Sequence, residues 1–248
     1  MYQAKILPTA RIHCDEGVLF RGGEKQRTRP INCYAYLLEG NGRKVLIDTG
    51  VKDMDAVNWT KRGAGTWRRE DGDADLEAHL RGLGIRPEEI THVILTHAHY
   101  DHISAVSCMK NAQIFLSEAE WTSLFAEENP MGPVLKEVRE FLLQQQERGK
   151  VCLTQDGSIV AEDIVLHVFP GHSPGSQMAE AQTQFGPTLF TGDAVFLLAN
   201  VEENRPIGFC AIPEGAEQAL AFCRKFQGVC MTGHDPACEA RFGEKTHG

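Results

Sequence analysis

Apolar residues along this chain recur mostly in short segments bounded by Gly, Pro and charged positions, a spacing that predicts strands interleaved with a few amphipathic helices. Residues 3–8 and 32–38 are apolar enough for strands, and Arg21–Pro30 between them is a polar loop containing Gly and Arg. Residues 43–48, RKVLID, predict a strand that ends in a sharp turn at Asp48-Thr49-Gly50. Residues 51–73 predict an irregular segment; its two tryptophans, Trp59 and Trp67, suit either a flap over a site or simple anchoring to the body. Residues 74–83 carry apolar positions at helical spacing and stop at Gly84, with His79 a structural residue of that helix. The β-branched segment 91–96, THVILT, predicts a strand that runs directly into His97. A helix start near Ser104, a strand at 113–116 and helical stretches at 117–127 and 133–148 follow. Beyond Gly149 the pattern returns to strands at 151–154, 158–168, 177–182 and 187–191, then a helix over 214–227 and a strand at 229–232.

Strands with helices, then strands with helices again, predict an α/β layered fold of two packed sheets with helices outside; alternation alone also fits a doubly wound sheet. At 248 residues the chain is long enough for one large domain or two small ones, and with no linker, low-complexity tract or repeat to divide it, residues 1–248 read as a single domain. Hydrophobic residues at 42% and charged residues at 24% exclude disorder and fibrous classes. No run approaches the roughly 18 apolar residues of a membrane span, and the opening MYQAKILPTARIHCDE lacks the features of a secretory signal. The expectation is a cytoplasmic chain with no membrane partner. A net charge of −9 with no Lys/Arg run disfavours nucleic acid as a partner. The eight cysteines include no C-x-x-C pair and read as mostly buried, reduced thiols.

The ten histidines matter for where they fall. Thr96-His97-Ala98-His99-Tyr100-Asp101-His102 places four possible metal ligands just after a strand. In extended backbone His97 and His99 project to the same side and can chelate one ion, while Asp101 and His102 can swing to a second. Imidazole and carboxylate together suit zinc, and also iron or manganese. Three more donors stand near the ends of expected strands: His172 in PGHSPG, Asp193 in TGD and His234 in TGHD. They complete a count in which one ion takes His97, His99 and His172, the other takes Asp101, His102 and His234, and Asp193 bridges. Positions left open for a shared water mark a catalytic rather than a structural site.

This set, in this order and at these strand ends, resembles the metallo-β-lactamase superfamily, from Asp48 to His234. The resemblance implies an αββα sandwich with two metal ions at one edge. It also implies that Asp48, in LIDTG, buttresses the ligands from outside. Within the superfamily, LIDTG, HAHYDH, PGHSPGSQ, TGDAVF and ENRPIG are most similar to the quorum-quenching N-acyl-homoserine lactone lactonases and related small lactonases. Those enzymes usually carry a Tyr three residues after the bridging Asp, where it contacts the substrate carbonyl; here that position is Phe196, which cannot donate a hydrogen bond. Tyr100 or a water are the candidates to replace it. Lactonases of this kind are often dimers, and nothing in the sequence specifies an interface.

The implied chemistry is hydrolysis of a lactone or related ester. Two Zn²⁺, or Fe²⁺ or Mn²⁺, lower the pKa of a bridging water towards about 7, and the resulting hydroxide attacks the carbonyl. Asp101 is the candidate proton shuttle to the leaving ring oxygen, or else a plain ligand. The rivals are other hydrolyses on the same metals, a thioesterase or carboxylesterase among them. Glyoxalase II-like thioesterases usually have His where this chain has Ala98, and a helical C-terminal domain where only 14 residues follow His234. A flavodiiron-type redox protein would place Glu at His99 and carry a flavin domain. A non-catalytic relative would have lost ligands. The expected pocket walls are Arg21–Pro30, the Trp59/Trp67 loop, the 117–148 helices and residues 196–208; Phe115, Trp121 and Phe125 are read as core.

Overall fold

The computed structural model describes residues 1–59, 65–126 and 136–243. One sheet has six strands in sequence order: β1 (Gln3–Asp15), β2 (Thr28–Gly40), β3 (Arg43–Ile47), β4 (His92–Ile94), β5 (Gln113–Ser117) and β6 (Val151–Thr154). The other runs β11 (Val229–Met231), β10 (Gly186–Phe190), β9 (Gln177–Thr183), β8 (Ile164–Val168), β7 (Ile159–Val160). The described helices are α1 (Glu16–Leu19), α2 (Met54–Trp59), α3 (Leu76–Gly82), α4 (Tyr100–Ile103), α5 (Glu118–Leu124), α6 (Lys136–Glu147), α7 (Leu198–Glu202), α8 (Pro213–Lys225) and α9 (Pro236–Phe242). This is the two-sheet arrangement, and the doubly wound alternative is set aside.

Strand alternation decides which residue enters which layer. Tyr34, Tyr36 and Leu38 of β2 meet Ile164, Leu166, Ala179 and Phe190 of the second sheet, in a core closed between the two sheets. Their neighbours Ala35 and Leu37 face the other way, with Leu46, Val93 and Ile114, onto Leu76 and Leu80 of α3 and Val138 and Leu142 of α6. On the far side Met178 and Leu189 pack on Ala219 and Cys223 of α8. Helix, sheet, sheet, helix is therefore the layer order. Strands covered on both faces read as continuous apolar runs, which is why β2 is buried without a break from Ile31 to Leu38.

Four local expectations are corrected. The first strand extends to Asp15 because Pro8 lies at a register shift between Pro8 and Ala10 that absorbs its missing N–H, after which pairing resumes. The segment 51–73 contains α2, and residues 60–64 of it lie outside the described residues. The helix expected to begin near Ser104 instead ends there, with His99 at its N-terminal boundary. The single strand at 158–168 is a hairpin, β7 and β8, turned by Ala161 and Glu162 at positive φ, a turn with no Gly or Asn to announce it. The helices expected over 117–127 and 133–148 are α5 and α6, with 127 and 133–135 outside the described residues.

Candidate metal centre

β3 and β4 are parallel, β10 and β11 are parallel, and β8 runs with β10 through the antiparallel β9. Their C-terminal ends open onto one edge of the sandwich. Each then releases a short loop: Asp48 after β3, His97–His102 after β4, His172 after β8, Asp193 after β10 and His234 after β11. Gly192 adopts φ +50°, and a Cβ there would stand 2.5 Å from Thr96 Oγ1, so only glycine lets the Asp193 turn lie against the histidine loop.

All seven candidate ligands converge in two groups, one of His97, His99, His172 and Asp193, the other of Asp101, His102 and His234. In the first, His97 Nε2 and His172 Nε2 stand 3.0 and 2.8 Å from His99 Nδ1, and Asp193 Oδ2 lies 3.2 Å from His172 Nε2 and 3.7 Å from His97 Nε2. In the second, Asp193 Oδ1 lies 3.1 Å from His102 Nε2 and 3.0 Å from His234 Nε2, and Asp101 Oδ2 lies 3.7 Å from each of the same nitrogens. Ligands about 2.0–2.1 Å from a tetrahedral zinc are about 3.3 Å apart, so both groups have the size of a metal cage.

Hydrogen bonds behind the rings set their tautomers. His172 Nδ1 donates to the Phe209 carbonyl at 3.0 Å and His234 Nδ1 to the Asn32 carbonyl at 2.6 Å. His102 Nδ1 donates to Asp48 Oδ2 at 2.8 Å. Thr96 Oγ1 donates to the same Asp48 oxygen and can accept from His97 Nδ1 at 3.1 Å. With the proton on Nδ1, each Nε2 lone pair faces the cage. The fit to cations is shown most directly by two atoms: His102 Nε2 and Asp193 Oδ1 are buried and make no hydrogen bond among the described residues. Buried polar atoms without partners are rare, and a carboxylate ringed by inward-facing imidazoles satisfies a cation rather than a proton donor.

The electrostatics are uneven. Burial holds the pKa of His97 well below the ordinary imidazole value, and that of His172 below it. Burial also lowers His102 and His234, but the nearby carboxylates outweigh it and raise both. Burial pushes Asp193 up, and the surrounding histidines more than reverse this, leaving it well below the ordinary carboxyl value.

The centre forms the floor of a cleft of about 750 Å³, counted out to its open mouth. Val18, Ile31, Val57, Trp67, Phe196 and Phe209 supply its apolar walls, and no Lys or Arg lines it among the described residues. Phe196 stacks on His234 with ring centroids 5.6 Å apart. Tyr100 lines the cleft, but its hydroxyl donates to the Asp53 carbonyl at 3.3 Å. Of the expected walls, the Trp67 loop and Phe196 are in place, whereas the described parts of the 117–148 helices and of Arg21–Pro30 do not reach the cleft. Those helices pack instead on the outer face of the first sheet, with Trp121 and Phe125 against its core and Phe115 in the inter-sheet core. The Trp59 side chain lies outside the described residues. His79 is structural, its Nε2 2.6 Å from the Pro8 carbonyl.

Sequence reasoning missed several supports. The Asn32 and Phe209 carbonyls are backbone groups and leave no trace in residue type. Cys33 gives its thiol hydrogen to the Asp101 carbonyl at 2.9 Å, and Glu120 ties two ligand loops together. The eight cysteines are free thiols, four buried and four partly buried. No helix among the described residues is long and apolar enough to cross a membrane.

The sequence pattern of the metallo-beta-lactamase superfamily matches residues 28–228. An N-acyl homoserine lactonase from a Bacillus species is 28% identical over 225 residues, covering 83% of this chain and 81% of its own. An N-acyl homoserine lactone hydrolase, solved with N-hexanoyl-L-homoserine at its catalytic metal centre, superposes with a TM-score of 0.77 at 21% identity, covering 96% of this chain and 95% of its own. AidC, a dizinc quorum-quenching lactonase, superposes with a TM-score of 0.66 at 17% identity over 93% of this chain and 86% of its own. At such identities the structural likeness carries the fold.

Proposed function

The chain belongs to the metallo-β-lactamase superfamily, and on that premise we propose that it is a dinuclear metal hydrolase that opens lactone rings, with N-acyl-homoserine lactones or related small lactones as substrates. The observation that carries the reading is Asp193, whose two oxygens serve two separate ligand groups, with Oδ1 buried and otherwise unpartnered. Similarity to N-acyl homoserine lactonases along most of the chain supports the choice of substrate. We assign His97, His99 and His172 to one ion, Asp101, His102 and His234 to the other, Asp193 as the bridge, and zinc as the metal.

Bound there, a pair of divalent ions supplies Lewis acidity for a carbonyl oxygen and an acidified water as nucleophile. The rest falls to the chain. The apolar cleft takes an uncharged substrate with its acyl portion against Trp67, Val57 and Phe209. Asp101 is 19% exposed where Asp193 is buried, and it stands further from His102 and His234 than Asp193 does. That position suits it to accept the proton of the attacking water and return it to the ring oxygen as the carbon–oxygen bond breaks, leaving a hydroxy acid. With Phe196 in the wall and the Tyr100 hydroxyl engaged by Asp53, no phenol of the described cleft steadies the carbonyl.

A hydrolysis screen of zinc-loaded protein on lactones, thioesters, β-lactams and phosphodiesters tests this, with His99→Ala as control. Lactones should be turned over fastest and the control should be inactive on all. Preference for a thioester would move the substrate assignment, and activity unaffected in His99→Ala would sink the metal mechanism.

A further inference from the structure

Glu120 is fully buried, and no step of the proposed hydrolysis touches it. Its place in the sequence looks ordinary. Ser117 caps α5, accepting from the Glu120 N–H at 3.1 Å, and a Glu three residues after a Ser cap normally returns its carboxylate to that cap. Here the carboxylate turns away. Its return to the Ser117 N–H is replaced by three long-range bonds: Oε1 accepts from the Ala98 N–H at 2.8 Å, and Oε2 accepts from the Ser173 hydroxyl at 2.7 Å and from the Gly175 N–H at 2.9 Å.

Those three donors have a common property. Ala98 lies between His97 and His99, while Ser173 and Gly175 follow His172. None lies in the Asp101–His102 turn or beside His234. We propose that Glu120 is a positioning residue that clamps the two loops of the His97/His99/His172 group, and so governs the retention of one ion of the pair. The inference rests on the assignment of ligands to two ions made above.

Several contacts show that the clamp is built rather than incidental. Ser117 adds a parallel tie, its hydroxyl donating to the Gly175 carbonyl at 2.5 Å. A Cβ on Gly175 would lie 2.2 Å from both Glu120 N and Ser117 Oγ, so the loop comes closer to α5 than any other residue allows. Ser176 Oγ accepts from the Ser173 N–H at 2.9 Å and lies 2.6 Å from Ser173 Oγ, so a second hydroxyl braces the serine that donates to Glu120. Burial pushes the Glu120 carboxyl up to about 7 against the pull of Ser173, Ala98 and Gly175. A carboxylate is suited to the task because it accepts at both oxygens. Glutamine at this position accepts at one oxygen only and sets an N–H₂ against N–H donors.

The test is chelator competition with zinc retained measured per chain, on the wild-type protein, Glu120→Gln and Ser173→Ala, each also loaded with cobalt for its visible spectrum. The wild type should hold two ions. Glu120→Gln should hold one ion about 10–100-fold more weakly, the range for supports behind metal ligands, and the other at wild-type affinity. Its cobalt spectrum should lose one component and keep the other. Ser173→Ala removes a single donor and should weaken the same ion by less, which keeps the test decisive should Glu120→Gln fail to fold. Adding Glu120→Gln to His99→Ala should leave the remaining ion unchanged. Two ions weakened in step, or neither weakened, would overturn the clamp while leaving the dinuclear reading intact; a wild type holding fewer than two ions would sink that reading and the clamp with it.

Discussion

Asp193 divides the centre into an imidazole half, with His97, His99 and His172, and a carboxylate half, with Asp101, His102 and His234. The two are braced differently. In the imidazole half the rings lean on neutral acceptors, the Thr96 hydroxyl and the Phe209 carbonyl, and the anionic brace, Glu120, holds backbone and a serine rather than a ring. In the carboxylate half the anion Asp48 bonds directly to the His102 ring. Burial therefore lowers the basicity of His97 and His172, while carboxylates raise that of His102 and His234. One half is shaped by loop placement and the other by charge, and the difference shows how one sheet edge can present two unlike ligand fields to one substrate.

Asn at position 193 breaks the comparison outright, because it removes the anion both halves share. We expect metal content to fall from two ions to at most one, and kcat/KM to fall on the order of 10³-fold, about 4 kcal/mol of transition-state stabilisation. Elemental analysis beside lactone kinetics checks both; two retained ions would show that the bridge is dispensable. Asp101→Asn strikes only the carboxylate half and its proton traffic. Both ions should remain and kcat should fall about 10²-fold. Wild-type turnover with both ions bound would leave Asp101 as a ligand and nothing more.

Asp48→Asn is the finest cut. Asp48 sits at φ +60°, which asparagine tolerates well, so the backbone should survive. The carboxylate accepts from Thr96 N, Thr96 Oγ1 and His102 Nδ1, and an amide cannot accept from all three. The ion of the carboxylate half should bind about tenfold more weakly, with a smaller effect on the other half through Thr96 and His97. This is the mirror image of the selectivity expected for Glu120→Gln, and equal loss from both halves would erase the distinction between charge and loop bracing.

The candidate ligands were legible because they are chemistry-bearing types at strand ends: His97-x-His99-x-Asp101-His102 stands out by its spacing, and Asp48 follows from the resemblance that motif carries. Glu120 was not. Its serine-to-glutamate spacing mimics a helix cap, and only the packing of α5 against the loop after β8 redirects the carboxylate. Phe209 was missed for a related reason. It is 45% exposed and lies just beyond the expected wall, yet it packs on the rings of His99 and His172. The helices of 117–148, expected around the cleft, have their apolar faces claimed by the first sheet.

By itself the sequence predicted the layered α/β class and singled out the seven candidate ligands that the structure gathers into two groups, because alternation, helical spacing and ligand chemistry can be read from residue type and spacing. Tertiary structure alone decided which acceptor each ring leans on, which loops Glu120 joins and which aromatics wall the cleft. Those contacts bridge residues up to 202 positions apart, as His234 and Asn32 are, and many end on backbone carbonyls and amides, which every residue possesses alike and no sequence can mark.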